Sequence, residues 1–243
     1  MSSSARLSAF MGNFEIGSGP GANDTPCVII RHVLGGMLRI LVIGLLVLVA
    51  IFFALPRPSV APPANATELP EARRLPDVLL LDQYGERFVT SELEGGYTLL
   101  FFGFTNCPDV CPLTMQVLAF ATDRMREAGA TPPKVVLASV DPARDSPERL
   151  REYLENFDAE FIGVVGQDDA LDPWLSGLGI TVMRQELDGG SYNMVHNPQV
   201  FVLNSNAELI AIMSSADDPA VVVVDFERIR TRHANGVDVS PRR

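Results

Sequence analysis

Cys107 and Cys111 are the residues whose type and spacing could do chemistry. They are four residues apart, and each is followed by a proline. If both lie in the first turns of a helix, their side chains share one face of it. A helix N-terminus favours the thiolate form of cysteine, which is both the nucleophile and the metal-binding form. The pair therefore predicts a centre that could carry out redox chemistry or bind a metal ion.

Three interpretations of this cysteine pair stay open from the residues alone. The first is structural, with two buried cysteines or an inert disulfide bond. The second is a dithiol redox enzyme, although thioredoxin-type enzymes have two residues between their cysteines and this chain has three. The third, which we favour, is a metal site, because two thiolates are soft ligands that select Cu(I) or Zn²⁺.

His196 is the candidate third ligand of such a site. The other histidines are His32, beside a long apolar segment, and His233, close to the end of the chain. In a thioredoxin-like fold, the segment before the final hairpin lies beside the N-terminus of the first helix, so His196 could reach the cysteines. Two thiolates and one imidazole suit trigonal Cu(I), whereas structural Zn²⁺ normally has four ligands. We therefore predict that Cys107, Cys111 and His196 bind one copper ion.

The elements that must position these residues alternate between strands and helices. Residues 97–104 form a continuous apolar run, typical of a buried central strand, directly before the cysteines. Residues 113–128 have apolar side chains at helical spacing and stop at a glycine. Further strands are predicted at 78–82, 87–89, 134–140, 161–165, 181–185, 199–203 and 208–213, and further helices at 146–157, 170–178 and 219–232. This order predicts a thioredoxin-like α/β sandwich. The alternative is a doubly wound parallel sheet, which is disfavoured by the hairpin predicted from the last two strands, 199–203 and 208–213.

Residues 33–55 are predicted to form a single transmembrane helix. Arg39 is the only charged residue among them, and 23 helical residues rise about 35 Å, enough for a hydrocarbon core of about 30 Å. A cleaved signal peptide and a buried core helix are the alternatives. The predicted organisation is a disordered N-terminal tail (1–32), a transmembrane anchor (33–55), a Pro/Ala-rich linker (56–71), a thioredoxin-like copper-binding domain (72–236) and a C-terminal tail (237–243).

Charge and composition exclude several classes of protein. The chain of 243 residues has a formal charge of −11, and residues 56–243, with 16 basic and 28 acidic side chains, carry −12. Phosphate contacts require a basic face, so a nucleic-acid-binding protein is excluded. The acidic surface predicts a partner with a basic face, to which it would be steered electrostatically. A hydrophobic fraction of 47% with 20% charged residues excludes a mostly disordered chain.

Several stretches of the sequence resemble the Sco/SenC family of membrane-anchored copper proteins. Residues 101–112, which contain both cysteines, resemble the family's first signature, and residues 139–147 resemble its second. Residues 81–85 and 99–105 resemble its opening strands, and His196 stands where the family has its histidine ligand. The likeness extends over most of the domain that follows the apolar segment.

The resemblance implies a copper chaperone for cytochrome c oxidase assembly, which is not an enzyme. It would deliver copper to the CuA-bearing subunit and could receive it from another copper chaperone. It would lie in the inner membrane with its C-terminal domain in the periplasm, or at the equivalent place in the mitochondrial inner membrane. The alternative is a thiol–disulfide oxidoreductase that reduces the CuA cysteines through Cys107 and Cys111; a peroxide-reducing thiol enzyme is a third possibility. The chain departs from the family in having Val195 before the histidine, where members often have Asp.

Overall fold

The computed structural model describes residues 39–51, 60–167 and 169–236. The chain divides into two compact units, Met1–Pro58 and Ser59–Arg243. In the first unit, residues 39–51 form helix α1, whose large aliphatic side chains are exposed. Among the described residues, no helix is both long and apolar enough to cross a membrane. The predicted anchor, 33–55, extends past the described residues on both sides of α1, and the predicted tails, 1–32 and 237–243, lie outside them.

The described residues of the second unit form one eight-stranded mixed sheet, a two-stranded sheet and four α-helices. The strands are β1 (Ala66–Arg74), β2 (Leu79–Asp82), β3 (Arg87–Val89), β4 (Thr98–Gly103), β5 (Lys134–Ser139), β6 (Ile162–Val165), β7 (Met183–Glu186), β8 (Tyr192–Val195), β9 (Val200–Leu203) and β10 (Glu208–Met213). The helices are α2 (Val110–Glu127), α3 (Pro147–Leu154), α4 (Asp172–Leu178) and α5 (Pro219–Ala234), with 3-10 turns at Thr90–Leu93 and Asp188–Gly190. The order in the large sheet is β1-β10-β9-β4-β5-β6-β2-β3, and β7 pairs with β8 in the small one.

The centre of the large sheet brings the loop after β4 and the loop after β5 to the same edge. Every residue of β4 and of β9 is buried, as their continuous apolar sequences require. Leu100 of β4 pairs with Val136 of β5 on one side and with Phe201 of β9 on the other. Because β4 and β5 are parallel, the loops that follow Gly103 and Ser139 start side by side.

The connectivity agrees with the predicted α/β sandwich and argues against a doubly wound parallel sheet. Strands β4, β5 and β6 are parallel, whereas β9 and β10 form an antiparallel hairpin beside them. Helix α2 packs beside α5, and α3 packs against β6. The strands and helices of this unit were mostly expected from the sequence; β1 and β8 were not.

The folded domain begins earlier than residue 72, inside the segment 56–71 that the sequence indicates to be a linker. Strand β1 starts at Ala66 and pairs antiparallel with β10. The segment before it is fastened to α5, because the buried carboxylate of Asp225 accepts hydrogen bonds from the backbone N–H groups of Ala64 (2.8 Å) and Asn65 (2.6 Å). The Pro- and Ala-rich composition conceals this strand, since its stability comes from pairing with β10 rather than from an apolar pattern of its own.

Trp174 offers a probe of folding in this domain. It is the only tryptophan of the chain and is fully buried. Its ring meets those of Phe88 and Phe102 edge-on, and its indole N–H donates to the carbonyl oxygen of Pro76 at 3.0 Å. Loss of the folded structure therefore exposes this ring to water.

Replacing Asp225 tests the fastening of β1. We expect Asp225→Ala to lower the free energy of unfolding by about 1–3 kcal/mol, because two backbone donors lose a charged acceptor. Urea unfolding followed by Trp174 fluorescence measures the change. The matched control is Asp217→Ala, an exposed carboxylate before the same helix, which should change stability by less than about 0.5 kcal/mol. Equal effects of the two substitutions would show that Asp225 does not hold the segment.

Candidate metal centre

The cysteine loop, residues 104–109, connects β4 to α2 and carries Cys107. Cys107 is half-buried, whereas Cys111, in the first turn of α2, is fully buried. The expectation that both lie in helical turns is wrong for Cys107, because Asp109 is the N-cap and the helix begins only at Val110. The two residues still meet, since the backbone N–H of Cys111 donates to Sγ of Cys107 at 3.5 Å. Both are free thiols in this structure.

His196 lies beside the buried cysteine, as its predicted role requires. Its Nε2 is 3.8 Å from Sγ of Cys111. Its Nδ1 is 3.0 Å from the carbonyl oxygen of Asn197, and a proton on Nδ1 donated to that oxygen leaves the lone pair of Nε2 directed at the sulfur. The ring packs edge-on against Phe101 and Phe104, with centroids 6.1 Å apart in each case. The fold thus brings the end of β8 to the start of α2.

The donor atoms suit copper in type but are not yet arranged around an ion. Within the part of the chain that is described, no group of three or more His, Cys, Asp or Glu side chains is placed to hold a metal. Two thiol sulfurs and an imidazole nitrogen are the soft and borderline donors that Cu(I) prefers. Binding of one ion by Cys107, Cys111 and His196 therefore requires a local adjustment of the site.

The two thiols share a single proton unequally. The hydrogen bond from the Cys111 thiol, helped by the backbone N–H groups of Asp109 and Cys111, lowers the pKa of Cys107 to about 5, against the opposing effect of burial. The same hydrogen bond, together with burial, raises the pKa of Cys111 far above that of an ordinary thiol. At neutral pH the pair therefore carries one negative charge, located on the more exposed sulfur.

A buried carboxylate holds the cysteine loop against β5. Asp145 accepts hydrogen bonds from the backbone N–H of Thr105 (3.1 Å), from its hydroxyl (2.6 Å) and from the hydroxyl of Ser139 (2.6 Å). Arg149 adds bonds to the side chains of Thr105 and Asn106, each 2.8 Å long. The sequence did not reveal Thr105 as the partner of Asp145, because the contact spans 40 residues.

Gly103 is required for the close approach of Cys111 to the end of β4. A Cβ atom at this position would lie 2.8 Å from the ring of Phe101, 3.0 Å from a methyl group of Leu137 and 3.2 Å from Sγ of Cys111. Such distances are shorter than ordinary van der Waals contact, so a larger residue would displace the sulfur or its neighbours.

Selective alkylation tests the unequal thiols. In the reduced protein we expect iodoacetamide to modify Cys107 with a rate that falls as the pH drops through about 5, because the thiolate is then protonated. Cys111, buried and protonated, should react far more slowly. Peptide-resolved mass spectrometry measures both sites and counts Cys27 separately. In Cys111→Ala, which lacks the donating thiol, the midpoint for Cys107 should move up toward the ordinary range of about 8–9. Similar rates at the two sites at neutral pH would contradict the assignment of the charge.

Comparisons with known proteins agree with this geometry. The SCO1/SenC family model matches residues 68–231. A protein of Stutzerimonas stutzeri, whose name describes it as copper-binding, is 32% identical over 156 residues, which are 64% of this chain and 76% of that protein. The mitochondrial SCO1 homolog 1 of Arabidopsis thaliana is 28% identical over 139 residues, 57% of this chain but only 42% of the plant protein.

A solved structure shows the same fold. The crystal structure of Arabidopsis thaliana ScoI with copper bound has a TM-score of 0.61 and 26% sequence identity to this chain, covering 64% of it and 98% of the solved chain. The predicted thioredoxin-like α/β fold is therefore confirmed. Since the family model covers more than half of the sequence and includes the cysteine pair and the histidine, the chain belongs to the SCO1/SenC family.

Proposed function

We propose that the protein is a membrane-anchored copper chaperone that delivers copper to the CuA-bearing subunit during cytochrome c oxidase assembly. The observation that carries the proposal is the approach of His196 to within 3.8 Å of Cys111, beside the thiolate of Cys107. Membership of the SCO1/SenC family and the copper-bound structure of a plant relative support the choice of metal. The link to the oxidase rests on the resemblance of the two signature segments to those of the family.

Copper is cargo in this proposal, and the site suits temporary binding. Cys107, Cys111 and His196 would hold one ion, with the thiolates favouring Cu(I). Three ligands leave room for a ligand from a partner protein, so that donors can be exchanged one at a time without releasing the ion to water. The half-buried sulfur of Cys107 is the one that a partner could reach first.

Exposed apolar side chains lie close in sequence to the candidate ligands and would meet the partner. Val110 and Leu113 of α2 are 42% and 50% exposed, and Val195, directly before the histidine, is 40% exposed. Apolar side chains are typical of the buried core of a protein interface, which is surrounded by a polar rim. The domain as a whole is acidic, but these three exposed side chains are apolar.

A second function is favoured by the unequal thiols. Cys107, a thiolate at neutral pH beside the protonated Cys111, has the arrangement of a thiol–disulfide oxidoreductase. The Cys107 thiolate would attack a disulfide between the CuA cysteines and form a mixed disulfide, and Cys111 would then resolve it. Two electrons would pass to the partner, leaving it with two thiols and this protein with a Cys107–Cys111 disulfide.

The histidine separates these two functions, because only the chaperone needs it as a ligand. We expect the reduced protein to bind one Cu(I) and His196→Ala to bind it at least about 100-fold more weakly, more than the loss usually seen when a residue behind a ligand is changed. Competition with a chromophoric Cu(I) chelator measures the affinity. His233→Ala, which contacts Tyr97 and Asn204 instead, is the control and should bind like the unmodified protein.

Oxidase assembly in cells gives the corresponding functional result. Under the chaperone proposal, His196→Ala should abolish assembly of the CuA centre while both cysteines remain reducible. Full assembly with this variant would overturn the chaperone proposal and favour the reductase. Unchanged Cu(I) affinity would show that His196 is not a ligand.

The membrane anchor is the part of the proposal that concerns location. We place residues 33–55 in the inner membrane and the copper-binding domain in the periplasm, or at the mitochondrial equivalent. The support is the apolar sequence of this segment and the helix at 39–51, whose aliphatic side chains are exposed.

Cell fractionation tests the anchor. The full chain should sediment with membranes and remain there after an alkaline carbonate wash, because a spanning helix is not released by disrupting ionic contacts. A chain that starts at residue 60 should be found in the supernatant. Release of the full chain by carbonate would contradict a spanning segment.

A further inference from the structure

His196 is carried by a hairpin that is only lightly attached to the rest of the domain. Strands β7 and β8 form their own small sheet, outside the eight-stranded one. All four residues of β7 are exposed, and of the hairpin's apolar side chains, Met194 packs against the core while only partly buried. The position of His196 relative to Cys111 therefore depends on whatever fixes this hairpin.

Tyr192, the first residue of β8, makes the firmest contacts of the hairpin. Its hydroxyl donates to Oδ1 of Asp141 at 2.8 Å, and its carbonyl oxygen accepts from Nη1 of Arg144 at 3.0 Å. The guanidinium carbons of Arg144 and Arg184 each lie 3.7 Å from the centre of its ring. Two groups this close cannot share one face, so the ring is held between two cations.

Asp141 and Arg144 belong to the loop after β5, residues 140–146, which also contains Asp145. Asp141 is almost completely buried, and its carboxylate also accepts from Nε of Arg144. The same loop thus holds the cysteine loop through Asp145 and Thr105, and the histidine hairpin through Tyr192. Both halves of the metal centre are fastened to one short segment at the end of a buried strand.

Arg144 also reaches the histidine by a second route. Its guanidinium carbon lies 5.7 Å from the centre of the Phe104 ring, and that ring meets the imidazole of His196 edge-on. The backbone route runs along β8, from Tyr192 to the histidine four residues later. A strand rises about 3.3 Å per residue, so β8 connects the two in an extended conformation.

We propose that Tyr192, held by Asp141 and Arg144, is a positioning residue that fixes His196 opposite Cys111 and thereby sets how tightly the site retains Cu(I). This inference rests on the proposed role of His196 as a ligand. Tyr192 touches no metal; it acts only through the placement of the imidazole. Loosening it leaves all three donors present but makes the histidine less available, because the hairpin must be ordered when the ion binds.

A double-mutant cycle tests the inference with Cu(I) as the probe. In the otherwise unmodified full-length protein, Tyr192→Leu should raise the Cu(I) dissociation constant about tenfold, a loss typical of residues that orient a ligand. In the His196→Ala background the same change should raise it less than about twofold, because there is no imidazole left to position. Tyr192→Phe, which keeps the stacked ring and loses only the hydroxyl, should lie between the unmodified protein and Tyr192→Leu.

A spectroscopic reading separates positioning from general damage. The thiolate-to-Cu(II) charge-transfer absorption of the Cu(II)-loaded protein should shift in Tyr192→Leu. Tyr84→Leu, a change of an exposed tyrosine in the turn after β2, should leave both the spectrum and the dissociation constant unchanged. Thermal unfolding of the metal-free variants establishes that they are folded, and Arg184→Gln, which removes one stacked cation at the surface, provides a milder variant of the same contact.

The outcomes distinguish this inference from the proposed function. If His196→Ala binds Cu(I) like the unmodified protein, both the ligand assignment and the inference are overturned. If His196→Ala weakens binding but Tyr192→Leu does not, or if Tyr192→Leu costs the same factor in both backgrounds, the inference alone is overturned.

Discussion

The arrangement of the centre depends on the hydrogen bonds that the buried carboxylate of Asp145 accepts. This carboxylate lies in the loop after β5 and holds the cysteine loop against that strand through the backbone and hydroxyl of Thr105 and the hydroxyl of Ser139. A carboxylate almost removed from water is tolerable only with such donors around it. Its negative charge also contributes to raising the pKa of Cys111, after the larger effects of the neighbouring thiol and of burial. One side chain therefore supports both the position of the thiols and the distribution of their proton.

The two sulfurs differ in protonation and in exposure, and this difference suits a protein that must hold an ion and then release it. The charged sulfur is only half-buried, whereas the protonated one is in the core beside the imidazole. An incoming ion would meet the charged sulfur first, whereas the buried sulfur must lose its proton to bind. Metal binding by this pair would thus be linked to proton release. The same arrangement explains why a dithiol reductase is a serious second candidate, since both functions need one reactive and one protected thiol.

The sequence predicted the centre better than it predicted the elements at its margins. Strand β4, helix α2 and the residues Cys107, Cys111 and His196 follow from apolar runs, helical spacing and the chemistry of thiols and imidazoles. Strands β1 and β8 were missed because neither has a buried apolar run of its own, and each forms by pairing with a single neighbour. The role of Tyr192 could not be read from the sequence, because its partners Asp141 and Arg144 lie about fifty residues earlier.

Gly103 has a consequence for anyone who would transfer this centre to another scaffold. The absence of a side chain there is what allows Cys111 to rest on the end of β4. Copying the two cysteines, the prolines and the histidine into a related thioredoxin-like protein would reproduce the donors but not the depth at which the inner sulfur lies. The smallest segment that could be transferred is therefore the end of β4, including Gly103, together with the cysteine loop and the start of α2.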